Sequence, residues 1–338
     1  MSEKRKRIEW IDAARGIGIL MVMLGHTYVD AKYIFWFYAF HMALFFFLSG
    51  CTFRLHTDVR SFLKKKACGL LIPYVFFAVL ITAYNWVSAV THSNTFNLQD
   101  TVLCYFLQIR YTHLWFLPCL FLAELGMWFI SRFYPGGKKK NRYLVIAGIL
   151  IIVFFVYRSW IGVDLLWNAD LAVLALSFIL LGFWYSLYAD SLVSYLSCKF
   201  FIIFVVLSVH LCITWIAFIT SESVDWYSNC FGNPIFFIIG SCTGVFATIL
   251  ISKRLHLRLL IYLGANSIVW YGLHRIIIDA MFILYNKLHV PVIRGSISSV
   301  VLAVISVAVA VVLLIPVNII LTKYFPFLIG KRKGLKKK

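Results

Sequence analysis

Charged residues are scarce in this chain of 338 residues, because Asp, Glu, Lys and Arg together make up only 13% of it. An ordinary soluble domain is about one quarter charged, so the shortage excludes a soluble globular protein. Acidic residues are the scarcest, at 13 against 32 Lys and Arg, whereas hydrophobic residues reach 62%. The composition therefore predicts an integral membrane protein.

Other features are missing as well. The eight cysteines contain no Cys-x-x-Cys pair, so we expect small buried hydrophobic side chains rather than a metal or redox site. The first apolar stretch has no small-residue cleavage site, and it therefore predicts a span rather than a signal peptide. The net charge of +19 comes from short basic clusters between apolar runs. That pattern fits lipid headgroups and membrane topology better than nucleic acid.

Ten apolar stretches are long enough to cross a bilayer, which takes about 20 residues. We place them at 10–29, 33–53, 67–90, 113–131, 143–159, 166–188, 200–219, 231–251, 260–285 and 297–321. The longest loop has about twenty residues, and no repeat or low-complexity linker separates the stretches. The sequence thus predicts an all-α polytopic protein whose residues 1–338 form a single transmembrane domain.

The basic residues predict the orientation of these spans. Alternate loops, together with both termini, hold 24 Lys and Arg, and the loops on the opposite side hold five. Basic residues gather on the cytoplasmic side of membrane proteins. We therefore expect both termini in the cytoplasm, including the basic N-terminal segment 1–9 and the basic C-terminal tail 331–338.

Two side chains of the first stretch, Arg15 and His26, are unfavourable in lipid. At 100° per residue, an offset of eleven positions on a helix returns to within about 20° of the starting direction, with a rise of about 16 Å. Both side chains therefore share one face, which is costly unless that face meets a polar cavity. Asp12 stands three residues before Arg15, at a spacing that allows an ion pair. Such a pair accounts for Arg15 but not for His26.

Further ionisable residues fall inside the predicted spans. His41 and His274 lie at similar depth, and each is either a hydrogen-bonded packing residue or part of a shared site. Glu124 lies near the middle of its stretch, where a carboxylate is protonated or paired. Arg275 and Asp279 are four residues apart on one helix, and we interpret them as a structural ion pair.

Several short motifs make the chain resemble one known family. It resembles the acyltransferase-3 family of bacterial ten-helix membrane O-acyltransferases, including the fucose 4-O-acetylase-like and surface-polysaccharide O-acetyltransferase subgroups. The matching motifs are Ile-Asp12-Ala-Ala-Arg15-Gly with Gly-His26, Phe-His41-Met, Phe-Phe-Leu-Ser49-Gly, Leu-Ile-Pro73-Tyr, His113-Leu-Trp115-Phe-Leu-Pro, and Leu-Gly264-Ala-Asn266-Ser with His274. The resemblance covers nearly the whole chain, and its most specific parts are the Arg-x10-His pair and the His-Leu-Trp-Phe-Leu string.

The chain departs from this pattern at two positions. Many members carry two basic residues three apart before the third helix, whereas here Lys64-Lys65-Lys66 is followed by Ala-Cys-Gly. The second basic position is missing, and the adjacent lysines could supply its charge. Ala43 stands where proline often follows His-Met, for which we expect only local consequences.

The resemblance implies a membrane-bound O-acyltransferase, with acetylation the most typical reaction, in a bacterial cytoplasmic membrane. The donor would be acetyl-CoA or another acyl-CoA, without a metal, and the acceptor a hydroxyl of a cell-surface carbohydrate or its precursor. Arg15 would orient the donor, and His26 would act as the base or as a transient acyl acceptor, because imidazole titrates near neutral pH. The remaining candidates are Asp12, His41, Glu124 and His274 for catalysis, and Lys64, Lys65, Lys66, His113 and Trp115 for binding the donor.

The residues alone leave two other functions open. A transporter or flippase for a small or lipid-linked substrate also places polar residues inside its spans. Many transporters contain paired repeats, yet the second half of the chain holds no second copy of the Arg15–His26 pattern. A non-catalytic scaffold or sensor would tolerate substitution of His26. The sequence ends in its basic tail, so we expect no appended soluble domain.

Overall fold

The computed structural model describes residues 8–55, 58–91, 93, 95–133, 141–197, 199–220 and 224–331. Within these ranges the chain is almost entirely helical and forms no β-strand, in agreement with the predicted class; an isolated bridge joins Asp225 to Cys230. The helices are α1 Glu9–Gly25, α2 Ala31–Tyr38, α3 His41–Thr52, α4 Val59–Lys66, α5 Ile72–Thr91, α6 Leu98–Leu107, α7 Phe116–Phe133, α8 Arg142–Trp160, α9 Ala169–Tyr188, α10 Asp190–Ser197, α11 Phe200–Thr220, α12 Pro234–Arg254, α13 Arg258–Ala265, α14 Ser267–Lys287 and α15 Ile297–Tyr324.

Nine helical segments of the described ranges are long and apolar enough to cross a membrane. They cover 31–52, 59–91, 113–133, 142–160, 166–188, 200–220, 234–254, 267–287 and 297–324. Helix α1, with 17 residues, is about 25 Å long, at the lower limit for a span. Together with α1, these segments correspond to the ten predicted stretches. Most of the predicted basic end segments, 1–9 and 331–338, lies outside the described residues.

The first, second and ninth predicted spans are shortened or broken in the structure. The first ends at Gly25 rather than at residue 29, because the backbone N–H of His26 caps the carbonyls of the last turn. The second is broken between α2 and α3, and the ninth between α13 and α14. A freed backbone group inside a membrane needs a partner. The hydroxyl of Ser241 supplies one, donating to the carbonyl of Ala39 at 2.6 Å.

The third span is longer than predicted. It begins at Val59 and passes through a π-helical turn, Ala67–Leu71, into α5. Asp58 caps its start by accepting from the backbone N–H groups of Arg60 and Ser61. A π-helical turn shifts the direction of neighbouring side chains and is frequent at functional sites. Here it follows directly after Lys66.

Close backbone contacts fix α1 against α13. A Cβ atom on Gly264 would lie 1.7 Å from the carbonyl oxygen of Asp12, and one on Gly16 would lie 2.1 Å from that of Leu260. Only glycine allows two backbones to approach so closely. This contact holds the polar stripe of α1 beside α14, which continues from α13.

The cysteines only partly match their prediction. The seven that are described form no disulfide, and Cys119 alone among them is buried. The exposed ones, Cys68, Cys212 and Cys242, lie on helices of the membrane-spanning segments or in the π-helical turn. The expectation of burial is wrong for these three, because a lipid-facing surface accepts a small apolar side chain as readily as a protein core does.

Candidate functional site

A polar cavity of about 550 Å³ opens between the outer ends of the helices, the side opposite the predicted cytoplasmic face. We call it the outer cavity. Its polar lining comes from the end of α1, from α2, α5 and α14, and from two loops. It includes His26, Tyr38, Tyr84, Asn85, Thr112, His113, Trp115, Asp225, Tyr227, Arg275 and Asp279. The sequence predicted a polar cavity on the helix face that carries Arg15 and His26, and the outer cavity lies at the His26 end of that face.

Three histidine rings form a cluster beside this cavity, which two of them, His26 and His113, line. The ring centroid of His26 lies 5.9 Å from that of His113 and 5.0 Å from that of His274. The rings of His113 and His274 are 5.1 Å apart. The predicted association of His26 with His274 is thus present, and the third histidine of the cluster is His113. Among the described residues no group of three or more His, Cys, Asp or Glu is placed to hold a metal ion.

Backbone contacts determine the tautomer of His274. Its Nδ1 lies 2.8 Å from the carbonyl of Trp270 and 2.9 Å from that of Tyr271. A carbonyl only accepts, so Nδ1 carries the proton and Nε2 has a lone pair. Nε2 of His274 and Nε2 of His113 are both buried, and neither has a hydrogen-bond partner among the described residues. Unpaired nitrogens in a shared cluster can exchange a proton with a third ring, here that of His26.

His41 does not join this cluster. Its Nδ1 lies 3.0 Å from the carbonyl of Phe37, at the break between α2 and α3, and that carbonyl also accepts from the backbone N–H of Phe40. Its ring packs against Tyr38, with centroids 5.0 Å apart, and the Tyr38 hydroxyl donates to the carbonyl of Gly25 at 2.8 Å. His41 therefore supports the wall of the outer cavity through Tyr38.

A second cavity of about 270 Å³ lies nearer the helix ends that are predicted to face the cytoplasm. We call it the inner cavity. Arg15, Ser49, Thr52, Lys66 and Glu124 supply its polar lining. The ammonium of Lys66 lies 2.6 Å from Oε1 of Glu124, which also accepts from the Ser49 hydroxyl at 2.5 Å. Lys66 is therefore the partner that the buried Glu124 requires.

Arg15 reaches the same cavity from α1. Its guanidinium is 3.9 Å from a carboxylate oxygen of Asp12, as the spacing predicts, and donates to the Thr52 hydroxyl at 3.3 Å. Arg15 and Lys66 thus bring two cations to one cavity, where Glu124 offsets part of their charge. Such a lining suits an anionic ligand better than a neutral one.

Aromatic side chains separate the two cavities. Tyr271 and Phe116 line the inner cavity, with ring centroids 5.8 Å apart. The Tyr271 hydroxyl donates to the backbone carbonyl of His113, and His113 lines the outer cavity. A ligand that connects the two cavities must be narrow where it passes these rings.

His113 follows a loop with unusual backbone geometry. Gln108, Arg110 and Thr112 have φ values of 46°, 48° and 53°, a region uncommon for residues other than glycine. The Arg110 guanidinium is held 2.5 Å from the buried carboxylate of Asp170. Asn168 accepts from the backbone N–H of Arg110 at 3.2 Å and donates to the carbonyl of Gln108 at 3.0 Å. This buried network sets the backbone that presents His113.

The structure separates the residues expected to bind the donor. Lys66 lines the inner cavity, whereas Lys64 and Lys65 do not, and both are exposed. His113 and Trp115 line the outer cavity instead. Sequence reasoning also missed several lining residues, namely Tyr84, Asn85, Thr112, Asp225, Tyr227 and Tyr271. Most of these are tyrosines and short polar residues that occur widely in the sequence and carry no motif.

The pair predicted to be purely structural lies within the outer cavity. Nε of Arg275 is 3.5 Å from a carboxylate oxygen of Asp279, so the predicted ion pair forms, and both residues line the cavity. On a neighbouring loop, burial raises the pKa of the Tyr227 hydroxyl, and the nearby Asp225 carboxylate adds to the shift. Tyr227 is therefore a neutral hydrogen-bond donor at physiological pH.

A comparison with known families gives one result that covers most of the chain. The model of the acyltransferase-3 family, described as an acyltransferase domain, matches residues 8–317. No curated protein and no solved structure matches the chain. The matched range contains both cavities and all three histidines of the cluster.

Proposed function

The chain belongs to the acyltransferase-3 family and is a multi-pass membrane acyltransferase, and from this premise we propose that it transfers an acyl group from acyl-CoA to a hydroxyl. Acetyl-CoA is the proposed donor, and a cell-surface carbohydrate or its precursor is the proposed acceptor. The proposed location is a bacterial cytoplasmic membrane.

One observation supports the proposal above the others. A single helix, α1, lines the inner cavity through Arg15 and leads at its end to His26 in the outer cavity. The eleven-residue offset corresponds to about 16 Å along a helix axis. An acyl-CoA has an anionic nucleotide end and a thioester at the tip of a long, narrow arm. Such a molecule would place its anionic end near Arg15 and Lys66 and its thioester near His26, with the narrow arm between them.

The inner cavity would receive the donor. Arg15 and Lys66 would contact the anionic part of the CoA, since phosphate groups pair well with guanidinium and ammonium donors. The exposed Lys64 and Lys65 lie within one turn of Lys66 on α4. They would attract the anionic donor to the cytoplasmic face. The arm would then pass Tyr271 and Phe116 and bring the thioester to His26.

The outer cavity would receive the acceptor. Its volume of about 550 Å³ falls in the usual range for small-molecule sites, and its tyrosines, Asn85 and Trp115 combine apolar faces with hydrogen-bonding groups. His26 would remove the proton from the acceptor hydroxyl as that oxygen attacks the thioester carbonyl. The carbon–sulfur bond would then break and release CoA, whose thiolate takes up a proton. His274 and His113 would hold or exchange the proton of His26.

The test measures acyl transfer by purified protein in lipid nanodiscs. Release of CoA from labelled acetyl-CoA is followed with and without carbohydrate acceptors, and labelled products are identified by mass spectrometry. We expect acceptor-dependent CoA release that falls by about 10²–10⁴-fold in His26→Ala, the usual range for a lost general base. His256→Ala is the control, because His256 is exposed and lines neither cavity. Full activity in His26→Ala would refute the proposal.

A further inference from the structure

The charges that line the outer cavity do not balance. Of the residues that the structure describes, three with charged side chains face it, namely Asp225, Arg275 and Asp279. Arg275 contacts Asp279, with Nε 3.5 Å from the carboxylate. No lysine or arginine in the part of the chain that the structure describes lies within ion-pair distance of Asp225. One carboxylate is therefore left over.

Neutral donors hold this carboxylate in place. Asp225 accepts from the backbone N–H groups of Tyr227 at 3.0 Å and Ser228 at 3.3 Å, and from the Ser228 hydroxyl. Its own backbone pairs with that of Cys230, at 2.7 and 2.9 Å, and the neighbouring Trp226 is almost fully buried. These contacts fix the position of Asp225 without cancelling its charge.

The basic side chain of Arg110 does not compensate for Asp225. The Arg110 guanidinium lies 2.5 Å from Asp170 and 3.2 Å from Asp164, so two carboxylates already neutralise it. Neither Arg110 nor its two partners lines the outer cavity. A concave site with one uncompensated charge concentrates the field of that charge. The potential inside the outer cavity is therefore negative.

We propose that Asp225 makes the outer cavity select acceptors by charge. The acceptor end that reaches Asp225 is an amino-bearing or uncharged sugar, and a sugar that carries a carboxylate or phosphate at that end is rejected. A carboxylate accepts hydrogen bonds from ammonium and hydroxyl groups alike, whereas it repels a second anion. The proposal rests on the proposed function for the identity of the occupant, but the charge preference itself can be measured without turnover.

The experiment places a thiol in the outer cavity and measures its reaction with charged reagents. Asn85→Cys and, separately, Ile276→Cys introduce thiols at two lining positions. The protein is held in nanodiscs of zwitterionic lipid, and it reacts with a trimethylammonium-bearing or a sulfonate-bearing methanethiosulfonate. Mass spectrometry of the peptide that contains position 85 or 276 separates the new thiol from native cysteines. The rate with the cationic reagent is divided by the rate with the anionic one. The same ratio measured for 2-mercaptoethanol, a free thiol in solution, is the reference.

We expect the cationic reagent to be favoured about tenfold over the reference ratio at low salt, with a decline as salt is added. Adding Asp225→Asn should bring the ratio to within about threefold of the reference. Asp100→Asn, which removes an exposed carboxylate outside the cavity, should leave it unchanged.

Four results would overturn the proposal: a ratio equal to the reference, a preference for the sulfonate, no effect of Asp225→Asn, or no labelling at either position. A cavity that small reagents cannot enter cannot select an acceptor. If the preference is present while acyl transfer is absent, the proposed function fails and the charge selection stands.

Discussion

The rings of His26 and His274 lie 5.0 Å apart between centroids, inclined by 42°. Because carbonyls hold Nδ1 of His274, its unpartnered Nε2 is the nitrogen that remains to interact with other groups. An imidazole that removes a proton works better when a neighbour stabilises its charged form. His274 is placed for this role by its own helix.

Replacing His274 by asparagine should therefore slow the chemical step. Asn can still donate to a carbonyl, but its amide group does not take up a proton near neutral pH. We expect kcat to fall by about tenfold to a hundredfold, part of the range typical of acid–base groups, with little change in the KM for acyl-CoA. Steady-state kinetics of CoA release give both values. His289→Asn, at an exposed site beyond α14, serves as the matched control, and an unaltered kcat in His274→Asn would remove His274 from the mechanism.

Arg15→Lys should weaken donor binding although it keeps the charge. The guanidinium contacts Asp12 and Thr52 together, and an ammonium cannot reproduce that planar arrangement of donors. We expect the apparent KM for acyl-CoA to rise by about tenfold, equivalent to about 1.4 kcal/mol. Arg132→Lys changes an exposed arginine that lines neither cavity, and it should have no effect. The assignment of Arg15 to the donor fails if both variants keep the original KM.

The Lys66–Glu124 ion pair predicts a non-additive effect on stability. Lys66→Met leaves the Glu124 carboxylate buried without its cation, since the Glu124 side chain is only 5% exposed. Breaking a buried pair costs about 3–5 kcal/mol, and the partial exposure of Lys66 places this pair at the lower end of that range. Glu124→Gln alone should be milder, because an amide remains hydrogen-bonded to Ser49. The measurement is thermal unfolding of the detergent-solubilised protein.

The double variant Lys66→Met with Glu124→Gln separates stability from function. It removes both charges, so it should be more stable than Lys66→Met alone. Its KM for acyl-CoA should nevertheless stay high, because the cavity has lost a cation. Recovery of both stability and KM in the double variant would show that Lys66 serves only to neutralise Glu124.

The sequence predicted the helices and the functional residues of α1, but not the other residues that line the outer cavity. Apolar length predicts spans directly, and Arg15 and His26 stand out because lipid disfavours them. Asp225 could not be found this way, because an aspartate in a loop is ordinary and becomes informative only when the fold brings it to the outer cavity. The partner of Glu124 could not be predicted either, because Lys66 is one of three adjacent lysines. Only the course of α4 through its π-helical turn distinguishes Lys66 from the other two.

The contact between α1 and α13 yields the last prediction, which concerns stability. Gly264→Ala would place a methyl group 1.7 Å from the Asp12 carbonyl oxygen, so the two backbones must separate. Such overpacking costs about 3 kcal/mol, and the shift of α1 should also displace Arg15 and His26 and lower activity. Gly148→Ala is the matched control, because nothing lies within 4 Å of its added methyl group. It should be neutral or stabilising by up to about 1 kcal/mol, since alanine favours a helix more than glycine does. Equal melting temperatures for the two variants would mean that α1 and α13 are not in backbone contact.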